Sequence, residues 1–207
     1  MFQSLKIVDF LDELNSSAPT PGGGAVAALN GAEAAGLFSM VANVTNHKQL
    51  KKDLEPNKNL VKVVLMTSIY QNNLLQLMDA DANAFKALMD CYKMPKETEE
   101  EKEARKTAIQ NACKNACEPP MQTLKTCLSL MNEARVTVAQ GDKSVVSDAY
   151  IGSRLLVSAI HSSIYNLMIN INSIKDQEFC DKLKNMIDDA KAKIAVFEKE
   201  VLDTCTL

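Results

Sequence analysis

Apolar residues recur along this chain at three- and four-residue spacing, and no run of alternating β-branched residues interrupts them. Three- and four-residue spacing keeps side chains on one helical face, so the pattern predicts an all-α fold. Leu5, Val8, Leu11 and Leu14 form one stripe and predict a first helix from about Ser4 to Asn15. A second begins at Gly22, Gly23 and Gly24 and ends near Thr45. A long third helix, about Asn57 to Asp90, carries Leu60, Val63, Val64, Ile69, Leu74, Leu75 and Met78. Thr98 and Glu101 have the spacing of a capping box for a fourth. It continues to about Ala139, with a bend or interruption at Pro119-Pro120. The fifth spans about Ser144 to Ile174, after the Gly141 turn. The sixth, about Gln177 to Thr204, sets Leu183, Met186, Ile187, Ala190, Ile194 and Phe197 among charges. The expectation is a compact bundle of about six helices, several long. No repeat, low-complexity tract or linker divides it, so residues 1–207 read as one domain.

Composition narrows the function classes. The chain has 207 residues, 46% hydrophobic and 24% charged, with net charge −3. Such values lack the basic footprint of a nucleic-acid binder and do not suit an anionic membrane surface. The first 17 residues read as an amphipathic helix rather than a signal peptide. The apolar stretch Ala25 to Val44 carries Asn30, Glu33 and Asn43, which suits a packed soluble helix better than a membrane span. Six cysteines form no CxxC pair and are expected to be reduced thiols in the cytoplasm. His47 and His161 are the only histidines, and no ExxH or HExxH motif is present, so no metal site is expected.

Four features carry candidate chemistry. Pro19-Thr20-Pro21-Gly22-Gly23-Gly24 leads straight into a helix, where glycines permit positive φ and close approach, and free N–H groups favour an anion. Ala25, Ala27, Ala28, Gly31, Ala32, Ala34, Ala35 and Gly36 make that helix small on nearly every side, so neighbours approach closely and the helix is central. Asp79 and Asp81 interrupt an otherwise apolar and neutral stretch of the third helix, where aspartate is a poor helix former, and Phe85 follows Asp81 by four. On the fifth helix, Arg154, Ser158, Ser162, Asn166 and Asn170 form a polar ridge along an apolar element. Such a helix should be buried, its amides and hydroxyls partnered by other helices or by a polar heterocycle. Ser147 and Asp148 lie near its start.

The segment Ser16 to Thr45, SSAPTPGGGAVAALNGAEAAGLFSMVANVT, resembles the opening signature of the cyclodeaminase/cyclohydrolase family. DANAFKALMDCYKMPKETEEEKEAR (Asp81 to Arg105), VVSDAYIG (Val145 to Gly152) and NLMININSIKD (Asn166 to Asp176) are similar to later blocks of that family, in the same order. Two departures stand out. Gly141-Asp142 replaces the usual Gly-Asn, and NHKQLKK replaces a more lysine-rich segment.

The resemblance implies an all-α enzyme, a homodimer or higher oligomer, with no metal or redox cofactor and a tetrahydrofolate adduct as substrate. It implies hydrolysis of 5,10-methenyltetrahydrofolate to 10-formyltetrahydrofolate. The alternative is cyclodeamination of formiminotetrahydrofolate with release of ammonia. A non-catalytic protein that binds folate or a partner chain is a third possibility. Asp81 or Asp148 is the expected acid/base group, with Lys48 assisting or binding the glutamate tail. Pro21, Gly22, Gly23 and Gly24 would meet substrate through the backbone. Asn43, Ser147, Asn166 and Asn170 would hydrogen-bond it. The glycine bend, the two aspartates and the asparagine ridge are expected to converge on one cleft between helices, within one subunit or across neighbouring ones.

Overall fold

The structure is a computed structural model that describes residues 1–205. After a 3-10 turn at Phe2–Ser4 come seven α-helices: α1 (Ile7–Leu14), α2 (Gly23–Leu50), α3 (Lys58–Tyr92), α4 (Glu99–Asn115), α5 (Glu118–Gln140), α6 (Val146–Ile171) and α7 (Gln177–Phe197). A π-helical turn, Glu198–Leu202, extends α7. No strand occurs among the described residues.

Local chemistry explains where the helices start. The Asn57 side chain accepts from the N–H groups of Asn59 and Leu60, opening α3. The capping box read from Thr98 and Glu101 is formed: Thr98 Oγ1 accepts from Glu101 N at 3.2 Å, and Glu101 Oε2 from Thr98 N at 3.0 Å. The expected interruption at Pro119-Pro120 is a true break. Both prolines sit in the first turn of α5, where a missing N–H leaves no hydrogen bond unmade. Asp176 caps α7 through Phe179 N and pairs with Lys114 at 2.6 Å, fastening α7 to the end of α4.

Helix α2 is the centre. It packs mainly between α3 and α6, with α5 beneath. Its alanines 25, 27, 28, 32, 34 and 35 are all buried. A Cβ placed on Gly31 would come within 2.8 Å of Cys127 Sγ on α5, so α5 can sit this close only because position 31 has no side chain. Length and composition would let α2 cross a bilayer, yet its apolar surface is taken up largely by α3, α5 and α6. Phe38, Leu74, Leu124, Leu130, Leu156, Ile160 and Ile164 fill the core around it.

The polar ridge of α6 is not buried as the sequence suggests. Arg154 and Ser158 are exposed, while Ser162, Asn166 and Asn170 are half-buried along the edge where α6 meets α2. Asn30 of α2 donates to Ser158 Oγ at 3.3 Å. The hydroxyls that are buried, Ser153 and Ser163, donate to carbonyls four residues back in their own helix.

Candidate functional site

Two long helices and two junctions build the most chemically equipped cleft. It lies at the start of α2, has a volume of about 310 Å³, and is lined by Thr20, Gly22, Gly23, Gly24, Asp81, Phe85, Asn166 and Asn170 among others. The 19–24 segment enters α2 from one side, the C-terminal part of α3 brings Asp81 and Phe85, and the last turns of α6 bring the asparagines. Ala116, at the α4–α5 junction, completes the wall. Asn170 Nδ2 donates to Ala116 O at 3.0 Å, fixing α6 to that junction and leaving the amide oxygen free. Asn166 Nδ2 donates to Ser162 O at 2.8 Å, and its amide end faces Gly23.

Of the two reasons expected for glycine here, close approach applies and positive φ does not. No glycine among the described residues has positive φ, and Gly22 is extended at φ −137°. The requirement is space: a Cβ on Gly24 would fall inside the Asp81 carboxylate. Sequence reasoning leaves an anion at this helix start unidentified; the structure supplies the chain's own, Asp81. Pro21, in a cis peptide with Thr20, is buried behind the loop and does not line the cleft.

Asp81 is half-buried, and none of its oxygens has a hydrogen-bond partner among the described residues. Two effects oppose each other on it. The helix start favours the ionised form by roughly 0.3–1 kcal/mol. Burial disfavours it, and the balance lies with burial, which raises the carboxyl above its ordinary range. An acid so tuned exchanges protons nearer neutrality than a free aspartate does.

This has a consequence for stability. The folded-state pKa exceeds the unfolded one, so the group's contribution is fully present below the unfolded pKa and lost as pH rises through the folded value. Asp81→Asn, which cannot ionise, should match wild type in urea midpoint near pH 3 and exceed it near pH 7, roughly spanning the titration of an ordinary and a raised carboxyl. Equal midpoints at both pH values would mean that burial does not strain this carboxylate.

The other expected residues lie elsewhere in the chain. Lys48 is 24 residues along α2 from Gly24, about 36 Å at helical rise. Its Nζ lies 2.7 Å from Asp142 Oδ1 and also donates to Ser144 Oγ. Asp142 N donates to Thr45 Oγ1 at 2.9 Å, so the α5–α6 turn is clipped to the far end of α2. The Lys48 and Ser144 contacts hold the Asp142 carboxyl far below its ordinary range. Ser147 and Asp148 start α6 at this same end. Asn43 is exposed near it, 3.4 Å from Ser39 Oγ. Within one chain, then, the glycines, Asp81, Asn166 and Asn170 come together, while Lys48, Asn43, Ser147 and Asp148 form a second group at the opposite end. Within one chain, therefore, Asp81 and Asp148 do not share a cleft.

Six lining residues were outside the expected set: Pro19, Thr20, Phe85, Leu88, Ala116 and Ile169. Phe85 and Leu88 lie four and seven residues after Asp81, a helical spacing that could have marked them. A larger groove, about 550 Å³, runs between α5 and α7. Its Arg135 is committed to Glu200 at 2.8 Å and lies over the Phe197 ring, and no carboxylate lines it.

A family model described as formiminotransferase-cyclodeaminase matches residues 6–189. The chain belongs to this family. Methenyltetrahydrofolate cyclohydrolase of Methylorubrum extorquens is 33% identical over 198 residues, which are 96% of this chain and 94% of that protein. The formimidoyltransferase-cyclodeaminase of Mus musculus is 28% identical over 191 residues; the match takes in 90% of this chain but only 35% of that longer protein. Among solved structures, formiminotetrahydrofolate cyclodeaminase from Thermotoga maritima superposes with a TM-score of 0.82 at 28% identity, covering 97% of this chain and 95% of that one. The all-α architecture is thus that of the formiminotransferase-cyclodeaminase family, and the resemblance carried by Ser16 to Thr45 and the later blocks is borne out.

Proposed function

We propose that this chain is a cytoplasmic enzyme that hydrolyses 5,10-methenyltetrahydrofolate to 10-formyltetrahydrofolate, reversibly and with no cofactor beyond the substrate. The observation that carries this is the Asp81 carboxylate, half-buried against the start of α2, with no hydrogen bond of its own and with two side-chain amides across the cleft. The methenyl carbon sits between two folate nitrogens and shares their positive charge. A desolvated carboxylate is a strong electrostatic partner for that cation and a base for water attacking it. The end-to-end match with a methenyltetrahydrofolate cyclohydrolase supports this over the ammonia-releasing reading.

The reaction proceeds in two steps. Water forms a C–O bond to the methenyl carbon and gives one proton to Asp81, and the amidinium charge is lost. Asp81 then returns that proton to N5 as the N5–C bond breaks. The hydroxyl loses its proton to solvent, leaving the formyl group on N10 and releasing one proton overall. Nothing is oxidised or reduced, so the reading requires no redox group. Phe85 offers a flat apolar wall to the pterin, and the Asn166 and Asn170 oxygens accept from its ring N–H groups.

The likeness to a solved cyclodeaminase favours one second reading, attack of a folate nitrogen on a formimino carbon with loss of ammonia. A paired assay separates the two. Decay of methenyl absorbance in water without nitrogen release supports the first; ammonia from the formimino substrate supports the second. Folate binding without either turnover overturns both.

The second group of residues enters through a partner copy. Val61 and Leu65 of α3 and Ile151, Tyr165 and Ile169 of α6 are exposed apolar side chains on the helices flanking α2. Our reading is a homodimer packed antiparallel along this face, which sets Lys48, Asn43, Ser147 and Asp148 of one copy beside the Asp81 cleft of the other. Mixed Asp81→Asn and Lys48→Ala proteins test it. Random exchange in a twofold dimer makes half the molecules heterodimers with one intact site in two, so about a quarter of wild-type activity should return. No recovery after verified subunit exchange would sink the composite site.

A further inference from the structure

The far end of α2 is basic. Lys48, Lys51 and Lys52 close the helix beside His47, and Lys143 stands in the α5–α6 turn clipped to it. Among the described residues, the only ion pair any of these lysines makes is that of Lys48 with Asp142. A cation brought beside this end is repelled by every lysine that has no counter-charge. The methenyl group is such a cation, so a lysine that works at the reacting end needs its charge answered.

The turn is built to supply that answer at a fixed place. Thr45 Oγ1, which is buried, donates to Val41 O at 2.7 Å and accepts from Asp142 N. Gly141 leaves no room for a side chain, since a Cβ there would lie 2.6 Å from Thr137 O and 2.7 Å from Val41 Cγ1. The turn is thus seated directly on α2. Asp142 Oδ1 accepts from Lys48 Nζ at 2.7 Å, Ser144 Oγ at 2.7 Å and Ser144 N at 2.9 Å. Lys48 donates to Ser144 Oγ as well, which leaves one of its three N–H groups for water or substrate. Asp142 Oδ2 accepts from no described residue and is not buried, so the carboxylate has an open side. The two side chains are 41% and 33% exposed, within reach of a partner copy.

We propose that Asp142 is a positioning and specificity residue of the two-copy site: it fixes the Lys48 ammonium and cancels its charge, so that a cationic folate adduct can approach. The proposal rests on the hydrolysis reading and the antiparallel dimer above. With Asp142 in place the pair is neutral, and the remaining Lys48 N–H orients water toward the methenyl carbon. Without it, Lys48 joins the unpaired Lys51, Lys52 and Lys143. Their field then opposes the amidinium and favours the ionised form of the Asp81 opposite. Ligands are sorted by charge, because the methenyl substrate carries a cation at its reacting end and the 10-formyl product does not.

The test follows methenyl hydrolysis across pH, and its inhibition by 10-formyltetrahydrofolate, on the full chain. Asp142→Asn is the first variant; the Gly-Asn it creates is the usual pair in the family signature, so the turn should fold. KM for the methenyl substrate should rise about five- to tenfold, while the inhibition constant of the product changes by less than about twofold. The acid limb of kcat/KM should move down by about half to one pH unit, toward the ordinary carboxyl range. Lys48→Met/Asp142→Asn, which removes both charges, should bring KM and the acid limb back while kcat stays low. Asp181→Asn on α7 unpairs Lys184 with the same change in net charge and should leave all three readings at wild type. Equal changes for substrate and product, an Asp142→Asn enzyme that matches wild type, or a double variant whose KM stays high overturns the proposal. Failure of the readings beneath it shows separately: a wild type without methenyl hydrolysis, or subunit mixing without recovery, overturns those readings and this one with them.

Discussion

Asp81→Asn should lower kcat for methenyl hydrolysis by about 10²- to 10⁴-fold, the usual contribution of a positioned acid/base group. The amide keeps the size of the side chain but cannot accept a proton from water or hold a full negative charge beside the amidinium. Its fold should be intact, since the carboxylate makes no hydrogen bond that the amide would break and its charge is disfavoured by burial. KM should change far less than kcat, because the substrate also rests on Phe85 and the two asparagines. Initial rates followed by methenyl absorbance measure both. A variant within threefold of wild type would remove Asp81 from the chemistry.

Gly24→Ala should be nearly as damaging, by a different route. A methyl at position 24 occupies the place of the Asp81 carboxylate, so either Asp81 swings away or α3 withdraws from α2. Overpacking of this kind costs roughly 1–3 kcal/mol. A shift of about 1 Å at a catalytic group costs on the order of 10²-fold in rate. Urea unfolding and steady-state kinetics together should show both losses. Gly23→Ala is the control: its Cβ would meet Asn166 at ordinary contact distance, 3.8 Å, so it should fold normally and lose much less activity. Similar behaviour of the two variants would contradict the steric account.

Much of the architecture was legible because its causes are local. Helical periodicity, the Thr98–Glu101 box and the proline pair act within a turn or two, and each marks an element present in the structure. The small residues of α2 also announced a central helix, since nothing else calls for so many. The site was legible only in part. Gly24 and Asp81 are far apart in sequence, and their contact depends on how α2 and α3 cross, which no local pattern records. The glycines were read for positive φ and for close approach; only the second operates, and what approaches Gly24 is a carboxylate from another helix. The α6 ridge looked buried because its neighbours are apolar, but several of those, among them Tyr165 and Ile169, face outward. Helix length explains why Lys48 and Asn43 stand apart from the glycines. Residues joined by one 28-residue helix sit at its two ends, however near they seem as motifs.

The pH dependence of kcat/KM on 5,10-methenyltetrahydrofolate, measured for wild type and Asp81→Asn, bears most directly on the role assigned to this one carboxylate. With Asp81 as the base, wild-type activity falls as pH drops through a pKa above the ordinary carboxyl range, and the variant is slow with that acid limb gone. An identical acid limb and an undiminished rate in the variant would show that some other group moves the proton.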